Sequence, residues 1–319
     1  METLRQTNTS MRKEGNYKGH LAMFVANILW GLMSPISKNI LSSGWVDAIS
    51  LTTFRMVGAA ILFWSVSFFC PKERVPKEDL IKLFFAALLG IVFNQGSFIY
   101  GVSMTSPINA SIVATTTPII TMIIAAIYLK EPITGKKAIG VLIGASGALL
   151  LISGSNNIIT GSSSSIWGDL SCLSAQCFFS LYFVLFKDLI SRYSPVTLMK
   201  WMFLYSSICC MPFSHDNIIA IDFATMPVDI YMGILFVVVF GTFICYFLMP
   251  IGQKTLRPTV AIMYNHVQPI VASIISVVWG FDTFGYTKTF AIVLVSTGVY
   301  IVTKSKSRAQ MESEKTKQD

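Results

Sequence analysis

Along the chain, apolar residues gather into ten stretches of about twenty, with polar residues collected between them. The stretches run over roughly 21–41, 46–70, 80–100, 106–129, 136–153, 168–188, 195–213, 229–250, 257–280 and 287–304. None alternates with the strict period of two that a barrel strand needs. A backbone in lipid must satisfy its own hydrogen bonds inside a helix or a closed barrel, so each stretch is read as a helix. At about 1.5 Å rise per residue each spans the roughly 30 Å hydrocarbon layer, the shorter ones only just.

The second half repeats the first. At an offset of 149, GHLAMFVANILWGLMSPISKNI falls on GDLSCLSAQCFFSLYFVLFKDL, which pairs Gly19 with Gly168, Asn27 with Gln176 and Lys38 with Lys187. At an offset of 151, Gly90 pairs with Gly241, Gly101 with Gly252, Pro107 with Pro258, Pro118 with Pro269, Glu131 with Asp282 and Gly147 with Gly298. Apolar helices share a small alphabet and match by accident, but prolines and acids at one offset do so less easily. Five spans per copy is an odd number, so the copies face opposite ways across the bilayer. The expected fold class is an all-α integral membrane protein, ten transmembrane helices in two inverted five-helix repeats. The divisions are a polar tail over 1–19, a first repeat over 20–153, a linker over 154–167, a second repeat over 168–304 and a tail over 305–319. Folds of this plan place solute sites near the midplane, where the repeats meet.

Composition agrees: 53% hydrophobic residues, 13% charged and a mean hydropathy of +0.64 leave too little polar surface for a water-soluble body of 319 residues. The net charge of +8 could mark a nucleic-acid partner in a soluble chain, so the placement of the cations decides. All of the 24 Lys and Arg residues except Lys38, Arg55, Lys200 and Lys288 fall in the two tails or in alternate loops. That bias puts both termini in the cytosol of a multi-pass protein of the cell membrane, with the bilayer and not nucleic acid as partner. Residues 1–19 lack a secretory h-region and cleavage site, so the first helix is its own anchor. The six cysteines lie in or at the ends of apolar stretches without zinc-type spacing and read as small hydrophobes. No cofactor or metal is implied.

Polar side chains at mid-membrane depth are costly unless paired or wetted, and so point to a pathway. Arg55 lies about nine residues into the second helix, either as an anion partner or as a brace that bonds backbone carbonyls. In the ninth, MYNHVQPIV carries Tyr264, Asn265, His266 and Gln268 beside Pro269, expected as a kink lined with donors, with Pro118 its counterpart in the fourth. Asn94 and Gln95 in the third helix, Tyr246 at the matching place in the eighth, Gln176 in the sixth and Trp30 in the first complete the candidates. Interhelical bonding or packing would explain most of them without a ligand. Lys38, Lys187, Glu131 and Asp282 sit at helix ends and are read as topology and packing. Gly140, Gly144 and Gly147 form a small-residue face for close helix contact. No aspartate or glutamate is read as embedded in the membrane, which leaves His266 as the carrier for any proton coupling.

Three segments carry a resemblance: ILWGLMSPISKNIL, LTTFRMVGAAILF and, most specifically, SPINASIVATTTPIITMIIAAIYLKEPITGKKAIGVLIGASGALLL. They resemble the drug/metabolite transporter superfamily, specifically ten-helix EamA-type exporters. Asp282 departs from that pattern, as does the scarcity of tryptophan-glycine after Gly168. The resemblance implies two inverted bundles around a central cavity and a small-molecule substrate, amino acids, related metabolites or amphiphilic drugs, moved outward by alternating access or by uncoupled facilitated transport. An exchanger of phosphorylated or nucleotide sugars would need more mid-depth cations than Arg55 and Lys200. A membrane-embedded lipid-modifying enzyme would need a nucleophile, paired acids or a metal cluster, none of which is visible; a passive channel would share the polar lining.

Overall fold

Ten apolar helices follow one another, each entered or left through signals the sequence carries. The computed structural model describes residues 2–128, 135–154, 165–255, 264–281, 283 and 285–303, with side chains described except at 2–16, 137, 151–154, 253–255, 266, 302 and 303. The helices are α1 (Glu2–Ser42), α2 (Ala48–Ser67), α3 (Lys77–Met104), α4 (Pro107–Tyr128), α5 (Gly135–Gly154), α6 (Ile166–Leu185), α7 (Pro195–Ile219), α8 (Val228–Gly252), α9 (Val267–Val278) and α10 (Tyr286–Thr303). Among the described residues seven are long and apolar enough to cross a membrane, and α5, α9 and α10 contribute shorter apolar helices. Asp47, Ser106, Ser165 and Ser194 cap α2, α4, α6 and α7 through backbone N–H groups of the first turn. Pro107 and Pro195 follow two of these caps, where a missing N–H costs nothing.

Reversal of direction at each loop puts the start of the α1 membrane span, the α2–α3 loop and the α6–α7 connector (Lys187–Arg192) at one end, here the basic end. At that end Arg192 Nη1 and Tyr193 Oη donate to Asp79 at 2.8 and 2.6 Å, tying the connector to the first turn of α3. The Asp79 charge beside it raises the Arg192 guanidinium above its ordinary range. At the opposite end Asn217 of α7 donates to Asp47 Oδ2 at 2.8 Å.

Two features were absent from the sequence reading. α3 widens into a π-helical stretch at Leu88–Phe93, and α8 does so at Val239–Ile244. The two lie at the 151-residue offset, so each repeat carries the same irregularity; such stretches re-aim the residues beyond them and recur at functional sites. The prolines also act differently from expectation. Pro118 and Pro269 do not kink continuous helices: α4 breaks at Thr115–Thr116 and resumes at Thr117, while α9 starts at Val267 after a 3₁₀ turn, Tyr264–His266. A proline opens a helical segment more cheaply than it interrupts one. At the α4 break Thr115 and Thr116 return their hydroxyls to Ile112 and Val113 carbonyls at 2.6 and 2.7 Å.

Glycine contacts obey the inverted symmetry. A Cβ on Gly101 would stand 2.5 Å from Cys172 Sγ and 2.7 Å from the Gly168 carbonyl, and one on Gly252 would stand 2.3 Å from Met23 Cγ with the Gly19 carbonyl at 3.4 Å. α3 thus meets α6 at the opposite end as α8 meets α1 at the basic end. In the same way Gly90 lies against the Tyr182 ring and Gly241 against Met33. α5 and α10 cross where Gly298 faces Gly140 and Gly144, the small-residue face read from the sequence. All six cysteines are free.

Candidate functional site

Between the repeats lies a cavity of about 100 Å³ lined by Trp30, Met33, Asn94, Gln95, Phe98, Ala114, Thr117, Gln176, Phe179, Tyr246, Met249, Asn265 and Gln268. The π-helical stretches aim its centre. Asn94 and Gln95 are the first residues beyond the one in α3, and Tyr246 lies just beyond the one in α8. Gln95 and Tyr246 are symmetry mates, and they touch: Gln95 Nε2 donates to Tyr246 Oη at 2.5 Å and to Asn94 Oδ1 at 2.7 Å. Asn94 Nδ2 donates in turn to the Ala175 carbonyl at 2.8 Å. The indole of Trp30 meets the Tyr246 ring edge to face at 6.2 Å.

Two further bonds form a symmetric pair. Thr117 Oγ1 donates to Gln176 Oε1 at 2.8 Å, and Gln268 Nε2 donates to Asn27 Oδ1 at 2.7 Å. Both link the broken helix of one repeat, just before or after its proline, to the first helix of the other. Gln95 Oε1 is buried and, among the described residues, has no hydrogen-bond partner. An unmet acceptor in such a place costs about 1–3 kcal/mol until a donor arrives. Phe179, Tyr246 and Met249 also line a second, mainly apolar cavity of about 190 Å³ that reaches Lys187, Ser191 and Tyr193 at the basic end. A larger apolar cleft of about 620 Å³ on the flank, beside Val92, Tyr100 and Phe213, lacks this concentration of amides.

Of the sequence candidates, Trp30, Asn94, Gln95, Gln176, Tyr246, Asn265 and Gln268 come together here. Three do not. Arg55 is wholly buried behind the cavity wall, where its Nε donates to Thr242 Oγ1 at 2.8 Å and Nη1 and Nη2 find no partner among the described residues. Thr242 passes its own hydroxyl to the Val237 carbonyl at 2.8 Å, five residues back, so the guanidinium docks on the π-helical stretch of α8. Tyr264 turns away toward α1, where its Oη lies 2.8 Å from His20 Nδ1. The side chain of His266 lies outside the described residues.

Two residues were missed. Asn27 was weighed only as a symmetry mate, yet its carbonyl receives Gln268. Asp169 overturns the reading that no acid is embedded: it lies in the first turn of α6, wholly buried, with Oδ1 accepting from Thr105 Oγ1 and Oδ2 from Asn109 Nδ2, the latter at 3.2 Å. Its place one residue past the expected helix boundary made it look like a solvated end.

The family model described as the EamA-like transporter family matches residues 17–153 and again 166–304, one copy on each repeat. The chain belongs to the EamA-like transporter family. Its relatives include the uncharacterized transporter YyaM of Bacillus subtilis, 21% identical over 91% of this chain and 98% of its own length. A WAT1-related protein of Arabidopsis thaliana is 30% identical over 41% of this chain and 37% of its own length. A solved crystal structure with a TM-score of 0.62 covers 90% of this chain and 97% of its own at 16% identity, a shared fold. The EamA-like chain is thus a multi-pass membrane transporter with two repeats that enclose an amide-rich cavity.

Proposed function

We propose that this transporter exports a small, polar, amine-bearing solute, of the amino-acid or related metabolite class, by alternating access of the two repeats around the Gln95–Tyr246 pair. The observation that carries this reading is the buried, unmet Gln95 Oε1 in a cavity walled by neutral amides. An acceptor of that kind selects for an N–H or ammonium donor, and Tyr246 and Trp30 supply an aromatic wall for its carbon skeleton or cation. Arg55, behind the wall, lends a positive field to any carboxylate without touching it. The lining carries no cation, which suits a zwitterion better than a phosphorylated or nucleotide sugar. Access from the basic end runs through the apolar cavity that shares Phe179, Tyr246 and Met249 with the chamber. With the basic end in the cytosol of the cell membrane, that conformer is the loading state of an exporter.

The test is exchange in proteoliposomes loaded with unlabelled amino acids and offered a ¹⁴C-labelled amino-acid mixture. Saturable uptake, stimulated by solute on the far side, is expected; flux that grows linearly without saturation would favour a passive channel, and no flux would remove amino acids as cargo. Proton coupling through His266 is checked in the same vesicles by an imposed pH gradient with the parent and His266→Ala.

A further inference from the structure

We propose that Asp169 is a proton-operated latch for the end of the molecule opposite the basic end. Its carboxylate clamps α6 to the α3–α4 corner when ionised and releases it on binding a proton from that side. The inference rests on the transport reading only for its purpose; its geometry stands apart from the solute cavity. Asp169 is two turns of α6 from Gln176, roughly 10 Å along the helix by its rise.

The corner around Thr105 is held from several directions. Ser165 N donates to the Met104 carbonyl at 3.0 Å, Gly168 packs so close that a Cβ there would stand 2.8 Å from Thr105 N, and Ser34 Oγ of α1 donates to the Pro107 carbonyl at 3.2 Å. Asp169 lies at the centre of this seal. Both of its oxygens accept, from the Thr105 hydroxyl and the Asn109 amide, which is the bonding pattern of an ionised carboxylate. A protonated carboxyl would present a hydroxyl where a donor already points, so at least one charge-assisted bond is lost when the proton arrives. Water reaches a wholly buried group only when α3 and α6 part, so proton exchange and opening are linked events. Among neighbouring elements the charged or titratable groups are Lys38 of α1, whose Nζ donates to the Ser103 carbonyl at 2.9 Å, Tyr100 of α3, exposed, and Cys172 of α6. α4 has none before Tyr128, and the sequence over 155–164 has none.

Cys172 is a built-in reporter, because its thiol is wholly buried under Gly101 within the seal. With the other five cysteines replaced by serine, the rate of N-ethylmaleimide alkylation at Cys172 reads seal opening and needs no solute. Asp169→Asn, fixed in the uncharged form, is expected to label roughly tenfold faster than the parent at neutral pH, the factor for one lost charge-assisted bond of about 1.4 kcal/mol. The parent-to-Asp169→Asn rate ratio cancels the reactivity of the thiol itself, and it should climb toward one as pH falls through the range where the acid takes its proton. Asp169→Glu should keep that pH profile. A ratio of one at every pH, or a ratio below one that stays flat, overturns the latch and leaves Asp169 a structural residue. If Asp169→Asn does not fold, Thr105→Val carries the same test: faster labelling than the parent at neutral pH that still rises, after correction against unfolded protein, as pH falls, with a flat profile overturning the proposal. Failed solute exchange with a pH-dependent ratio would sink the transport reading and leave the latch standing.

Discussion

At the scale of single residues, the solute cavity depends on one acceptor. Gln95 Oε1 is the group that a donor on the cargo would satisfy, while Gln95 Nε2 is already committed to Tyr246 and Asn94. Gln95→Leu removes the acceptor at similar volume. The expected outcome is a rise of about tenfold in the KM for exchange, the equivalent of one hydrogen bond, with the melting temperature nearly unchanged. Tyr246→Phe, which removes only the partner of Nε2, should shift KM less. Arg55 gives a different signature. Its guanidinium bonds Thr242 inside the protein, so Arg55→Ala leaves a cavity and an unpaired hydroxyl between α2 and α8 and should lower both exchange and thermal stability, by about 2–5 kcal/mol for a large-to-small change in a core. Thr242→Val, nearly isosteric, should cost about 1 kcal/mol and slow exchange much less. The depth of Arg55 was legible in the sequence because helical rise converts residue number into depth. Its direction was not, because it is set by a π-helical stretch in another helix. The amides of α3, α6 and α9 were legible for a simpler reason: an amide in an apolar helix has few places to go other than a neighbour or a wet cavity.

At the scale of elements, the helices were readable from hydrophobic runs, but their irregularities were not. LLGIVF and VFGTFI, the two π-helical stretches, carry no residue that announces them, and only their equal spacing marks them as a property of the repeat. The prolines did announce a break, yet whether a proline kinks a helix or begins one depends on the threonine carbonyl bonds before it. Glycines, by contrast, predict where helices can meet. Gly101 allows α3 onto α6 at the opposite end, and Gly252 allows α8 onto α1 at the basic end. Adding a methyl group at either should wedge open the end it occupies. In Gly101→Ala the new atom meets a backbone carbonyl, which cannot move alone, so Cys172 should become accessible to maleimide at least several-fold faster than in the parent. In Gly252→Ala it meets the flexible end of Met23, and Cys172 labelling should stay at the parent rate. Equal labelling in both variants would mean that the two ends do not close separately.

At the scale of the whole molecule, the two repeats meet along an axis on which Gln95 touches its own mate, Tyr246, and from which the Thr117–Gln176 and Asn27–Gln268 bonds diverge to opposite sides. A cavity built this way is reached from one end or the other according to which pair of glycine contacts is closed. The arrangement fixes no direction by itself; the charges do. Lys18, Lys72, Lys187 and Arg192 share the basic end, and translocation of short loops retains such residues on the cytosolic side. In intact cells carrying the protein without its native cysteines, a membrane-impermeant maleimide should therefore label Ser43→Cys and Ala220→Cys, at the opposite end, and leave Lys72→Cys and Ser191→Cys untouched until the membrane is permeabilised. The reverse pattern would turn the cavity toward the outside, make the open conformer a receiving state rather than a loading one, and reverse the proposed export into uptake with every helix and hydrogen bond in place.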